Sequence, residues 1–296
     1  MYESRVSVWC EHFRHGATGA GRWIHDRNIS QPHLRRFQIR AVPRVIAEAA
    51  LIRCRKHAHR HGHEESSPDP MIVVMRRGMF RYHVGRRAVL ADVNSTLLFH
   101  PDEPYSISHP TDHGDDCVAL RFSMDTVTDA LGAASGSAHA WILDHATQRA
   151  IQRAAADALT APDSLAREER ALDVLNLIGN AQPLTRNSKD ASRVEAVRER
   201  LAADPGANPA LAEIAVHVGL SPFHFARCFR AHTGTSLHQY RLSLRLGLAM
   251  TALRDGETNL TQLGLDLGFA SASHFSTAFR RAYGVSPRAA CRLQPG

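Results

Sequence analysis

The sequence predicts an α+β chain: a β-barrel or jelly roll of short strands, a helical connector, and an all-α C-terminal domain of two helix-turn-helix motifs joined by a long helix. Three observations carry this. Residues 211–288 contain one helix pair written twice. Residues 45–122 alternate apolar and polar positions between turn-forming residues. Two amphipathic stretches lie between these regions.

In chain order, residues 1–44 are the least defined. RHGATGAGRW is glycine-rich and HDRNISQPHLRRF is polar and basic, so loose structure or a peripheral strand is expected. Strands are then expected at Ile46–Cys54, Met71–Arg76, Met79–Val84, Thr96–His100, Tyr105–His109 and Cys117–Phe122. Phe80, Tyr82 and Val84 fall on one side of their strand, Arg81 and His83 on the other. Ser67-Pro68-Asp69-Pro70, Gly78, Gly85 and Pro101-Asp102-Glu103-Pro104 separate the runs. Short strands so spaced suit a jelly roll or small barrel, placed at residues 45–140.

Residues 141–181 read as a connector of two helices, His145–Thr160 and Leu165–Asn180. The second carries Ala171, Leu172, Leu175 and Ile178 on one face, a stripe that serves either packing on the barrel or a dimer seam. The unpatterned polar tract 182–190 reads as a linker. A helix at Ala191–Ala203, stopped by Asp204-Pro205-Gly206, opens the last domain, 191–296.

The repeat pairs Phe225 with Phe275, Phe229 with Phe279, Arg230 with Arg280, Gly234 with Gly284 and Ser236 with Ser286, all 50 residues apart. Each copy reads as helix, tight turn, helix. Ile214, Ala215 and Val218 give the first apolar face, and Gly219 supplies the positive φ of the turn. Ser221 is then an N-cap with Pro222 at the first helical position. The second copy follows with Gly264, Leu267, Gly268 and Phe269, and its turn is one residue longer. Between the copies, Leu237 to Arg254 forms an amphipathic rod of ~27 Å at ~1.5 Å rise per residue. Such a spacer suits two reading helices set about one DNA turn apart, ~34 Å.

The 296-residue chain is long enough for two cores and carries a net charge of +7. In residues 191–296, 12 arginines against 7 acids leave +5 of that charge, which places an anionic partner at the C-terminal third. Five cysteines, odd in number and without a CxxC pair, suit a reducing compartment. The sequence holds no apolar run long enough for a membrane span and no signal-peptide core near its start. P-loop, GxSxG, HExxH and dinucleotide glycine motifs are absent.

On these residues, the stretch from about Ser192 to Arg292 resembles the DNA-binding domain of AraC/XylS-type transcriptional regulators. GFASASHFSTAFRRAYGVSP is close to that family's signature, and the first copy fits its partner motif. Residues 45–122 resemble, less specifically, the cupin-like sensory half of such proteins. The resemblance implies a cytoplasmic, ligand-responsive regulator rather than an enzyme, with no cofactor. Its implied partners are double-stranded promoter or operator DNA, an unidentified small-molecule effector, a second copy in a homodimer, and RNA polymerase; no membrane is involved. One departure is Thr277, where the family often carries an arginine that faces bases.

Once packing claims Phe225, Cys228 and Phe229, the outward set on the first reading helix is Phe223, His224, Ala226 and Arg227. Arg227 suits guanine O6 and N7, and Phe223 a thymine methyl. Ser273, His274, Ser276 and Thr277 form the second set, while Arg230, Arg280 and Arg281 are assigned to phosphates or a neighbouring acid. In the sensory half, His59, His61, Tyr82 and Tyr105 are the residues offered to an effector.

Two constellations compete with this reading. His57, His59, His61 and His63, with Glu64 and Glu65, have the chemistry of a metal cluster and would suit a metal-dependent cupin enzyme with a DNA-binding appendage. Tyr105 stands where such a site needs another histidine, so a polar histidine-rich loop is preferred and no metal is assigned to His59, His61 or His63. Cys54, His109 and Cys117 lie at strand ends and would make a redox or metal sensor if they converged; no local spacing requires it, and a buried small apolar role is preferred for the cysteines. A cysteine-acceptor DNA-repair role is disfavoured because no PCHR-like context surrounds Cys54 or Cys117.

Overall fold

The computed structural model describes residues 46–54, 64–111, 114–136, 139–181 and 190–292, without the side chains of residues 46 and 47. Contacts divide the chain into residues 1–43 and residues 44–296, and everything described belongs to the second unit. Segment 1–44, most of the linker tract, and His57, His59, His61 and His63 lie outside the described residues.

The strands are β1 (Ile46–Cys54), β2 (Met71–Arg77), β3 (Phe80–Val84), β4 (Arg87–Ala91), β5 (Ser95–Phe99), β6 (Tyr105–Ser108), β7 (Asp115–Phe122) and β8 (Ala140–Ile142). They form two antiparallel sheets, ordered β1-β7-β2-β5-β8 and β4-β3-β6. Alternation decides which core each side chain enters. Met71, Val73 and Met75 of β2 face inward, onto Phe80, Tyr82, Leu97, Phe99 and Tyr105 of the inter-sheet core. Ile72 and Val74 face outward and are covered by helices, so β2 is buried on both faces. Fully burying one such aliphatic side chain is worth ~1.5–3 kcal/mol.

The covering helices are α1 (Met124–Leu131), α2 (His145–Leu159) and α3 (Ser164–Gly179). Asp144 caps α2 by accepting from the amides of Ala146 and Thr147, and Asp163 caps α3 through Ala166. Ile151, Ala155, Val174, Leu175 and Ile178 pack on the outer face of the larger sheet, so the connector stripe is spent on the barrel. In the sensory half, β4, β8 and α1 were not expected from the sequence. Arg87 and Ala88 are poor strand formers, but the Gly85-Arg86 turn lays β4 back on β3 with Val84 opposite Arg87, and pairing outweighs propensity.

The C-terminal domain comprises α4 (Ala191–Ala203), α5 (Leu211–His217), α6 (Pro222–Thr233), α7 (Leu237–Arg254), α8 (Leu260–Asp266), α9 (Ala272–Tyr283) and α10 (Pro287–Arg292). α7 has the bounds expected of the rod. Leu244 enters the first helix-turn-helix core with Ile214, Phe225 and Phe229. Leu246, Ala249 and Leu253 enter the second with Leu267, Phe275 and Phe279. No helix among the described residues is long and apolar enough to cross a membrane.

Candidate nucleic-acid interface

The two helices expected to read DNA, α6 and α9, are built alike. Ser221 and Ser271 are N-caps, accepting from the amides of His224 and His274. Gly234 and Gly284 end the helices in the left-handed conformation at φ 72° and 76°, their amides donating to the Arg230 and Arg280 carbonyls. Beneath each, a phenylalanine pair is fully buried, with ring centroids 5.7 Å apart in both copies. Ala215 and Gly264 are the small residues that let the helices of each pair meet; a Cβ on Gly264 would lie 3.0 Å from that of Phe275.

Those cores fix what faces outward. On α6, Phe223 is 79% exposed and Arg227 and Arg230 are exposed, while Ala226 is half-buried. His224 is drawn back: its Nε2 lies 3.0 Å from Asp190 Oδ2 and 3.4 Å from Cys228 Sγ, so the end of α4 holds the imidazole. On α9, Ser273, His274, Thr277, Arg280 and Arg281 are exposed and Ser276 is half-buried. A cleft of about 450 Å³ opens between α2, α7 and α9, lined by Arg149, Arg241, Arg245 and Arg281 together with His145, His238 and His274. Arg245 is occupied structurally, donating to the carbonyls of Pro205, Ala207 and Gly268 at 2.7, 2.8 and 3.0 Å. Burial, helped by Arg241, lowers its pKa to about 10. The contribution of Arg149 from the sensory half carried no sequence signal, because helical periodicity says nothing about which distant helix a side chain meets.

Sequence reasoning also missed the junction between the halves. Arg198 of α4 is fully buried. Its Nε donates to Tyr240 Oη at 2.8 Å, Nη1 to Glu195 Oε1 at 2.7 Å, and Nη2 to Ser95 Oγ at 3.1 Å and Asp92 Oδ2 at 3.3 Å. Tyr240 Oη donates in turn to Asp92, and His232 at the end of α6 lies 2.8 Å from Glu195. Burial works against ionised Glu195, but Arg198 and His232 hold its pKa down at about 2. One guanidinium thus ties the β4–β5 turn of the barrel to α4 and, through Glu195 and Tyr240, to α6 and α7. Nearby, Gln152 donates to the Val93 carbonyl at 2.8 Å, and Thr251 of α7 donates to the Arg76 carbonyl at 2.9 Å.

Of the residues offered to an effector, Tyr82 and Tyr105 come together inside the barrel, with ring centroids 5.6 Å apart. Both are buried, and burial first, then nearby carboxylates, push their hydroxyls above the ordinary tyrosine range. His59 and His61 lie outside the described residues.

The chain matches the model of an AraC-like ligand binding domain over residues 48–175 and that of a helix-turn-helix domain over residues 214–292. It is 41% identical over 76 residues to the HTH-type transcriptional regulator ArgR of Pseudomonas aeruginosa, covering 26% of this chain and 23% of that protein. To the HTH-type transcriptional activator RhaS of Salmonella schwarzengrund it is 30% identical over 141 residues, covering 47% of this chain and 50% of that one. The matches therefore span half or less of these relatives' lengths. The crystal structure of ToxT from Vibrio cholerae is similar with 15% identity and a TM-score of 0.35, over 84% of this chain and 98% of that one. With an AraC-like ligand binding domain followed by a helix-turn-helix domain, the chain belongs to the AraC family of transcriptional regulators.

Proposed function

We propose that the chain regulates transcription by presenting α6 and α9 to the major groove of promoter or operator DNA, under control of a ligand bound in the barrel. The observation that carries this is the pair of outward helix faces set on one rod, with their inward faces spent on separate cores. In this reading Arg227 reads guanine, Phe223 meets a thymine methyl, and Ser273, His274, Ser276 and Thr277 supply short polar contacts. Arg230, Arg280 and Arg281 meet phosphates, which position the protein and supply much of the affinity without reading sequence. His224 reaches DNA only when it leaves Asp190, and Ala226 contributes shape alone. The effector would lie against Tyr82 and Tyr105, and its signal would leave through the β4–β5 turn to Arg198. Domain bounds of 45–140, 141–181 and 191–296, a homodimer, contact with RNA polymerase, a cytoplasmic location and the lack of catalysis belong to the same reading.

The test is selection of bound sequences from a random DNA pool, followed by titration of the selected site. Arg227→Ala should lose ~1–3 kcal/mol and relax preference at one base pair, whereas Arg281→Ala should weaken all sequences alike and reduce the salt slope by about 1. Unchanged sequence preference in Arg227→Ala removes it as a base reader.

A further inference from the structure

At one end of the barrel, Cys54, His109 and Asp115 bring a thiol, an imidazole and a carboxylate together, with all ligand atoms within 4.8 Å of one another. Pairing explains the convergence. Cys54 lies opposite Asp115 in the β1–β7 ladder, so both share the inner face with Cys117 two residues on. Asp116 takes the other face, where Arg77 lies 3.4 Å from it. His109 follows β6 and reaches over, its Nε2 2.6 Å from Asp115 Oδ1. Of the cysteine–histidine set considered from sequence, Cys54 and His109 do meet, but the third member is Asp115; Cys117 is buried in the inter-sheet core.

Structural need does not account for the cluster. Asp115 is fully buried, and its Oδ2 has no hydrogen-bond partner among the described residues. An apolar side chain would fill the same space without that penalty, since a buried acceptor left unpaired costs ~1–3 kcal/mol. We propose that Cys54, His109 and Asp115 form a site for a divalent transition ion of the zinc class, with a fourth position open to water or an exogenous ligand. Thiolate, imidazole and carboxylate are the donors such an ion takes, at ~2.0–2.3 Å. A tetrahedron of such bonds sets its ligands roughly 3.3–3.8 Å apart, so the 2.6 Å contact of His109 with Asp115 must open, while any pair near the 4.8 Å limit must close by about 1 Å.

Thiolate and neutral imidazole are the forms that ligate an ion, so binding here expels protons to solvent. Arg77 adjoins the site, opposite Asp116 in the β2–β7 ladder, and its chain neighbour Arg76 pairs with Asp255 at the end of α7.

The test uses the full chain, stripped with a chelator and titrated with Co²⁺. One equivalent should bind with a thiolate charge-transfer band and visible d–d bands, release protons, and be displaced by Zn²⁺. Cys54→Ser should abolish the charge-transfer band, and Asp115→Asn should keep the band but weaken binding roughly tenfold or more. Unchanged far-ultraviolet circular dichroism in Cys54→Ser shows that the variant has folded. Cys228→Ser and joint replacement of His57, His59, His61 and His63 by alanine should leave the spectrum intact. The assignment is overturned if no stoichiometric ion binds, if the band survives in Cys54→Ser, or if it is lost in either control.

Discussion

Arg198 shows why a buried cation is a strong constraint. Its hydrogen-bond partners are all protein groups, so removing it strands Asp92 and Glu195 without water to replace it. Loss of one member of a buried charged group costs ~3–5 kcal/mol, whereas an exposed pair is worth ~1 kcal/mol or less. Arg198→Met should therefore lower stability by ~3–5 kcal/mol in urea unfolding, while Arg170→Ala, which breaks the exposed pair to Asp173, should change it by under ~1 kcal/mol. The sequence displays Arg198 as one more arginine on a basic helix. Apart from Glu195, three residues away on the same helix, its partners stand 42 to 108 positions away, and nothing local marks them.

Among the elements, the repeat was the most legible feature because capping residues, turn glycines and phenylalanine spacing all agree within each copy. Yet the two turns are not equivalent. Gly219 has φ +66° with nothing within 4 Å of an added Cβ. Gly268 has φ +74°, and its Cβ would lie 2.2 Å from the Gly206 carbonyl oxygen and 2.7 Å from Arg245 Nη2. Gly219→Ala should cost only the ~1–2 kcal/mol of left-handed strain, and Gly268→Ala clearly more, as thermal unfolding of the two variants would show. The strands were legible where alternation was strong, as in β3. β4 and β8 were not, since they owe their existence to neighbours rather than to their own residues. Arg227 and Thr277 were placed outward by helical period alone, whereas the turning of His224 toward Asp190 depends on a contact 34 residues away.

At the scale of the whole molecule, the barrel and the helical domain share a junction that is sensitive to acid. His145 of α2 bonds Ser243 of α7, and burial, with Arg149 nearby, lowers its pKa to about 4. The unfolded chain binds that proton below ~6.5, so between pH 6.5 and 4 it holds more protons than the folded chain and stability falls as pH falls. His145→Gln should flatten this part of the profile of urea midpoint against pH, leaving the loss between about pH 4.5 and 2, where the unfolded chain takes up a proton on Glu195 before the folded chain does. Both domains could be read from sequence; their attachment could not, because it rests on polar groups scattered over α2, α4, α6, α7 and the β4–β5 turn. α7 serves three neighbours at once: the first core, the second core and the barrel, where a Cβ on its Gly247 would lie 3.4 Å from Val93 Cγ2. A single residue added to α7 beyond Gly247 would turn the downstream prong by ~100° while advancing it only ~1.5 Å. The length of that helix is therefore a phase angle: it sets which way the second prong looks once the first has engaged.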